Sequence, residues 1–185
     1  TLDTVVLPPA LALAGDTGAS DGDGITNNAT VNVTGLEPGA AWQYSINGGF
    51  WTAGTGSSFS LSEGSYATTA VQVRQIDVAG NTSTASAVLT VTIDVTAPGA
   101  PAGLALASGS DSGSSNSDRL TNVAAPTVTG TAEASSVVTL YDGTTVAGTA
   151  TADGSGPGSI ASTTLGSGTH PLTAVAVDAA GNSST

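Results

Sequence analysis

Positive charge is nearly missing from this sequence: Arg74 and Arg119 are its two basic residues, against fourteen acids and one histidine, for a formal net charge of −12. Nucleic-acid binding and attachment to an anionic membrane both draw on Lys and Arg, and both are excluded on that count. Cysteine is absent as well. Neither disulfides nor zinc–thiolate sites hold the chain together, and thiol chemistry is ruled out, although the compartment stays open. No uninterrupted apolar run approaches the ~18 residues of a membrane span, and no signal-peptide pattern stands at the start. Beginning at Thr1, the chain reads as an internal piece of something longer.

What is abundant is small and β-compatible. There are 25 glycines in 185 residues, with many Ser, Thr, Ala and Val, and only 9% of residues are charged. That mixture suits short strands and turns, so an all-β fold is expected. A hydrophobic content of 39% is enough for thin cores, which argues against wholesale disorder.

The chain repeats itself. "DTGASDGDGITN" (16–27) returns as "DSGSSNSDRLTN" (111–122) at a constant offset of 95, so Asp16, Gly18, Asp23, Thr26 and Asn27 match Asp111, Gly113, Asp118, Thr121 and Asn122. "DVAGN" (77–81) returns as "DAAGN" (178–182) at an offset of 101, which implies a few residues inserted between strands of the second copy. A repeat of roughly 90–100 residues has the length of an immunoglobulin-like sandwich. The boundaries read as 1–94, with a leading linker at 1–9, and 95–185, with a linker at 95–101; the Pro-containing "IDVTAPGAP" (93–101) reads as stiff and extended. The second copy stops after "DAAGN", so its last strand is expected to be missing from this sequence.

Strand patterns in the first copy support a count near seven. "ATVNVTG" puts Val31 and Val33 on one face, and "AWQYSI" puts Trp42, Tyr44 and Ile46 on one face, followed by "NGG" as a hairpin turn. "TASAVLTVTID" predicts Ala85, Ala87, Leu89, Val91 and Ile93 facing inward and Ser86, Thr90 and Thr92 outward. Trp42 and Tyr66 fall where such a sandwich keeps its core Trp and its corner Tyr, and both read as packing residues. His170 stands at the second copy's corner position.

Strand topology then places the acids. In this sandwich the A–B loop lies at the trailing end of the domain, beside the end of the last strand, and the F–G turn lies at the leading end. Asp16, Asp21, Asp23 and Asp94 are therefore expected to meet Asp178 and Asn182 at the junction of the two domains. Asp3, Asp77 and Asn81 group at the leading end of the first, and Asp111 and Asp118 at the trailing end of the second. Like charges 4 Å apart repel by about 4 kcal/mol at an effective dielectric near 20, so a cation is required. Carboxylate, carbonyl and amide oxygens are hard donors that select Ca²⁺. The competing reading is ordinary turn chemistry, which accounts for any single Asp-Gly or Asn-Gly step. The loop is not an EF-hand, because aligning Gly24 with that motif's glycine puts Ala19 at the first ligand position and Thr30 at the last. In the second loop Asn116 replaces Asp21 and Arg119 follows Asp118, a weaker cation site.

With "LDTVVLPPALALAGDTGASDGDGITN", "WQYSINGGFWTAGTG", "VQVRQIDVAGN" and "IDVTAPGAP" in view, the chain resembles the tandem bacterial Ig-like extender domains of giant RTX-type, type I-secreted and biofilm-associated surface adhesins. The likeness weakens between residues 131 and 170, where Trp42 and Trp51 have no counterpart and the core is expected to be built differently. The resemblance implies a monomeric, extracellular rod on a bacterial surface. Its partners are neighbouring Ig-like repeats of the same chain, and Ca²⁺ stiffens each junction through residues matching Asp94 and Asp3, Asp16 and Asp23, and Asp77 and Asp178. It also implies export unfolded, followed by folding in external calcium.

The sequence offers two other function classes. A binding module for glycan or for a surface such as ice would use outward Thr90 and Thr92 or a platform of Tyr44, Phe50 and Trp51, although core packing explains those aromatics more simply. No enzyme and no small-molecule substrate are expected. His170 has no motif-supplied nucleophile or orienting acid, and the carboxylates fall on junction loops rather than in a cleft.

Overall fold

In the computed structural model, which describes residues 2–66, 71–154 and 157–185 (backbone alone at Pro157), the chain divides into two compact units, Thr1–Val95 and Thr96–Thr185. Among the described residues there is no helix; every element is a strand of two to seven residues. Short strands follow from the composition, since Gly, Ser and Asn interrupt each apolar alternation within a few residues.

The first unit contains β1 (Ala10–Leu13), β2 (Ile25–Thr26), β3 (Thr30–Thr34), β4 (Ala41–Ser45), β5 (Thr52–Ala53), β6 (Ser58–Ser60), β7 (Gly64–Ser65), β8 (Gln72–Ile76) and β9 (Thr92–Ile93). One sheet has the order β1-β3-β6 and the facing one β5-β4-β8. A third layer of pairing, β2-β9-β7, closes the trailing end, with β9 parallel to β2 and antiparallel to β7. Val31 and Val33 point inward as the alternation predicts, and Trp42 packs with Val33 and Val73 while its Nε1–H donates to the Gly56 carbonyl at 2.8 Å. Tyr44 stacks on Phe59 with ring centroids 4.6 Å apart. The hairpin after β4 is a tight turn in which Asn47 and Gly48 both take positive φ, 55° and 66°, the backbone of a type I′ connection.

The stretch "TASAVLTVTID" departs from its predicted alternation. Leu89, Val91 and Ile93 pack inward, but Ala85 and Ala87 are exposed and Ser86 is buried. The reason lies in the hydroxyls: Ser83 Oγ accepts the Gln75 N–H at 3.0 Å and Ser86 Oγ accepts the Val73 N–H at 3.1 Å. Those hydroxyls stand in for the carbonyls a neighbouring strand would offer to the β8 N–H groups, so they must turn toward it, and regular alternation resumes only beyond Val88.

The second unit is two three-stranded sheets, β10-β11-β14 and β13-β12-β15, built from β10 (Ala102–Leu106), β11 (Thr127–Thr131), β12 (Val137–Asp142), β13 (Thr145–Thr151), β14 (Pro157–Ala161) and β15 (Leu172–Val177). Its core is aliphatic: Val128, Val138, Leu140, Ala147, Ala152, Ile160 and Ala176. Register explains how it manages without tryptophan. Trp42 sits opposite Gln75 and Tyr44 opposite Val73, while Val138 sits opposite Ala176 and Leu140 opposite Ala174, so Val138 and Leu140 take the two aromatic positions. A Cβ on Gly148 would lie 2.7 Å from Ile160 Cγ2, so the strands pack where only glycine fits.

Candidate functional site

The two acidic loops fold alike, bond for bond. In the first, Asp16 Oδ2 accepts the Gly24 N–H at 2.9 Å, Asp23 Oδ1 accepts the Ile25 N–H at 2.9 Å, and Thr17 Oγ1 donates to Asn27 Oδ1 at 2.9 Å. In the second, Asp111 Oδ2 accepts the Arg119 N–H at 3.2 Å, Asp118 Oδ1 accepts the Leu120 N–H at 3.0 Å, and Ser112 Oγ donates to Asn122 Oδ1 at 2.9 Å. A threonine anchors each loop: the buried Thr26 donates through Oγ1 to the Gly15 carbonyl, and the half-buried Thr121 through Oγ1 to that of Ser110. The offset of 95 read from the sequence is therefore a structural repeat at the level of single hydrogen bonds.

The loops share one unsatisfied feature. Oδ1 of Asp16 and Oδ1 of Asp111 are buried with no hydrogen-bond partner, and Asp111 as a whole is only 6% exposed. Burying an unpaired carboxylate oxygen is costly unless something positive meets it. Ca²⁺ suits such an oxygen, being a hard cation with oxygen ligands, and the surrounding Asp, Asn and Thr donors are of the right chemistry. Among the described residues, however, no group of three or more His, Cys, Asp or Glu converges as a cage. A cation here would draw also on amide, hydroxyl and main-chain oxygens.

Asp94 reaches the same place through β9. Its N–H donates to the Thr26 carbonyl at 3.0 Å, and the Thr92 N–H donates to that of Gly24 at 2.8 Å, so the end of the last strand runs beside the loop that carries Asp16 and Asp23. Asp21 is exposed at the loop's tip.

Each turn aspartate is bonded to the asparagine four residues on. Asp77 is buried, and its two oxygens accept the backbone N–H of Asn81 at 2.8 Å and the Asn81 side-chain amide at 2.7 Å. Asp178 and Asn182 repeat the arrangement at 2.9 Å for both bonds. The Asn81 side-chain amide holds the Asp77 carboxyl below the usual carboxylate range, against a smaller opposing effect of burial. The same amide donates to the Asp3 carbonyl at 3.1 Å, which brings Asp3, Asp77 and Asn81 together.

Sequence reasoning missed one pair. His170 Nδ1 lies 2.7 Å from Asp142 Oδ2, and Nε2 lies 2.9 Å from the Gly166 carbonyl. The Gly166 carbonyl foremost, then the Asp142 carboxylate, raise the imidazole's pKa above its ordinary value. Both ring nitrogens face acceptors, an arrangement that favours the protonated imidazolium. Tyr66 makes the matching contact in the first unit, its hydroxyl donating to the Ser62 carbonyl at 2.9 Å. The corner position was legible in the sequence; Asp142, 28 residues upstream, was not.

The aromatic platform divides. Tyr44 is packed against Phe59, and the face of Trp51 is covered by the Arg74 guanidinium, 4.3 Å from the ring centroid. Phe50, which core packing was expected to explain, is instead 97% exposed because it sits at the end of the β4–β5 turn.

Among known proteins, no curated protein matches the chain. Of solved structures, a biofilm-associated protein's BSP domain is 18% identical over 96% of this chain and 28% of that one, with a TM-score of 0.34. A second, described as bearing on host cell surface retention of a 1.5-MDa bacterial ice-binding adhesin, is 21% identical over 95% of this chain and 60% of that one, also at 0.34. This chain thus spans less than two thirds of either. The family described as bacterial Ig-like domain matches residues 1–95 and again 98–185. Two matches that between them cover nearly the whole chain, on two sandwiches whose loops repeat bond for bond, make it a member of the bacterial Ig-like domain family that carries the module twice.

Proposed function

We infer that the chain is a spacer segment of a large bacterial surface adhesin, exported to the cell exterior, whose modules are stiffened by Ca²⁺. The observation that carries this reading is the pair of buried, unbonded carboxylate oxygens, Asp16 Oδ1 and Asp111 Oδ1, at the same place in two successive modules. Repeated acidic loops with an orphaned oxygen, in a chain of net charge −12, call for a cation that the protein itself does not contain in quantity. Asp16, Asp21, Asp23 and Asp94 are proposed to ligate it at the trailing end of the first module, with Asp178 and Asn182 completing the set. Asp3, Asp77 and Asn81, and Asp111 with Asp118, would serve the flanking junctions.

Calcium would supply charge neutralisation and six to eight oxygen contacts. Saturation at a hundred times the dissociation constant adds about 2.7 kcal/mol of folded-state stability. Calorimetric titration with Ca²⁺ and small-angle scattering with and without chelator test the reading, repeated on Asp94→Ala. If neither extension nor melting temperature responds to calcium, the reading fails. Adhesion through an exposed face is the second reading, and Phe50 favours it; a glycan array comparing the chain with Phe50→Ser distinguishes the two.

A further inference from the structure

Arg74 is the one basic residue of the first unit, and among the described residues no acid pairs with it, although the chain carries a net charge of −12. An amide and an aromatic ring hold its guanidinium instead. We propose that Arg74, Gln43, Trp51 and Phe50 form a binding site for an acidic saccharide, a sugar whose ring carries a carboxylate, which rests on the second reading above, adhesion through an exposed face, and gives it a site and a ligand class.

Register puts these side chains together. Arg74 on β8 is the cross-strand partner of Gln43 on β4, and Ala53 on β5 is the partner of Gln43 on its other side, so the three share one face of the β5-β4-β8 sheet. It is the outward face, because Trp42 and Val73, the alternate residues of the same strands, point into the core. Trp51 stands two residues before Ala53 and meets Arg74 there, with the guanidinium carbon 4.3 Å from its ring centroid. Arg74 Nε–H donates to Gln43 Oε1 at 2.8 Å.

Ring and amide together fix the guanidinium plane, so its freedom is lost on folding rather than on binding. With Nε engaged, Nη1 and Nη2 meet no acceptor among the described residues. Their parallel N–H groups match the two oxygens of a carboxylate, the bidentate geometry of strong Arg–carboxylate pairs. Strands β4, β5 and β8 contain no Asp or Glu to occupy that fork or to repel an anion beside it. Repulsion from acids more than about 8 Å away is largely screened at physiological salt. The aromatic residues decide which carboxylate. Phe50, next to Trp51 in the chain, is 97% exposed. A sugar ring has an apolar C–H face and a polar rim, so Phe50 can cover the first while the Arg74 fork and the Gln43 amide meet carboxylate and hydroxyl. An Asp or Glu side chain would satisfy the fork and leave Phe50 unused.

NMR titration of the full chain with methyl glucuronoside, methyl sialoside and, as the neutral control, methyl glucoside tests the site. Saturable shifts are expected at the Trp51 indole and the Arg74 side chain, while the Trp42 indole, buried and bonded to Gly56, stays unmoved. At least one acid sugar should bind about tenfold or more tightly than the glucoside, as one charge-assisted bidentate pair supplies. Arg74→Lys keeps the charge but loses the fork, and should remove that preference with the Trp42 signal unchanged. Phe50→Ser, at a residue almost wholly in solvent, should fold normally and weaken acid and neutral sugars alike. Equal binding of acid and neutral sugars, or a preference that survives Arg74→Lys, would overturn the carboxylate site and leave adhesion through an exposed face standing. A Glu-containing peptide that competes as well as the acid sugars would overturn it too, since the occupant would then be a polypeptide. Absence of binding by all three sugars would overturn the site, and an empty glycan array besides would remove the adhesive reading with it.

Discussion

The His170 imidazole is held at 2.7 Å from the Asp142 carboxylate while its other nitrogen faces the Gly166 carbonyl at 2.9 Å. Its folded pKa is raised, so the protonated form is the one the fold favours. The stability it contributes is complete below the unfolded value near ~6.5 and is lost as pH rises through the raised folded value. Melting of the second unit should therefore drop on alkaline titration across that window. His170→Tyr should retain a corner contact to Gly166, as Tyr66 has with Ser62, and flatten the dependence. An NMR titration of the His170 Cε1 proton gives the pKa directly.

Asp16 and Asp111 lead to a prediction for both loops. Asp16→Asn keeps the loop's shape and the acceptor for the Gly24 N–H but removes the charge, so Ca²⁺ affinity should fall by more than about tenfold with little change in metal-free stability. Asp111→Asn should do the same for the second loop. Calorimetry in buffers stripped of calcium checks both.

Arg119 holds a φ of 63° where the first copy has Gly24 at 74°. A side chain in the left-handed region is strained by about 1 kcal/mol, partly offset in glycine by its larger unfolded-state entropy. Arg119→Gly should be neutral to stabilising by up to about 1 kcal/mol and should strengthen cation binding by removing a positive charge from the loop. Urea denaturation and calcium titration on one variant read both effects.

Gln75 is fully buried, and its amide ties three backbone groups: it donates to the carbonyls of Leu7 at 2.7 Å and Gly35 at 3.2 Å and accepts the Glu37 N–H at 2.8 Å. Gln75→Leu has a similar volume but leaves those groups unpaired, at a cost of roughly 2–5 kcal/mol. Equilibrium unfolding followed through Trp42 should show it, along with increased hydrogen exchange at Glu37.

Gly54 lies under the Trp42 ring, where an added Cβ would come within 2.4 Å of three ring atoms. Gly54→Ala should cost about 1–3 kcal/mol or more, because the ring is buried and bonded to Gly56 and has no room to shift. A lowered denaturation midpoint with an unchanged m-value is the expected signature.

Much of this was legible because it is local or repeated. The offset of 95 located the paired loops, the alternation of "ATVNVTG" oriented Val31 and Val33, and the position of His170 marked a corner that its contact with Gly166 now explains. Ser83 and Ser86 defeated the alternation because their hydroxyls replace carbonyls in a ladder, an exchange that leaves no trace in a hydropathy pattern. Asp77 and Asp178 are each buried against the asparagine four residues on, and that spacing fits a turn and a metal site alike.

From the order of residues alone come the β class, the two-fold repeat and the clustering of acids, since each rests on composition or spacing along the chain. Tertiary structure decided which acid oxygens have partners, that Val138 and Leu140 replace Trp42 and Tyr44, and that Asp142 meets His170. Those outcomes depend on which strands lie side by side and in what register, and a single strand carries no record of its neighbours.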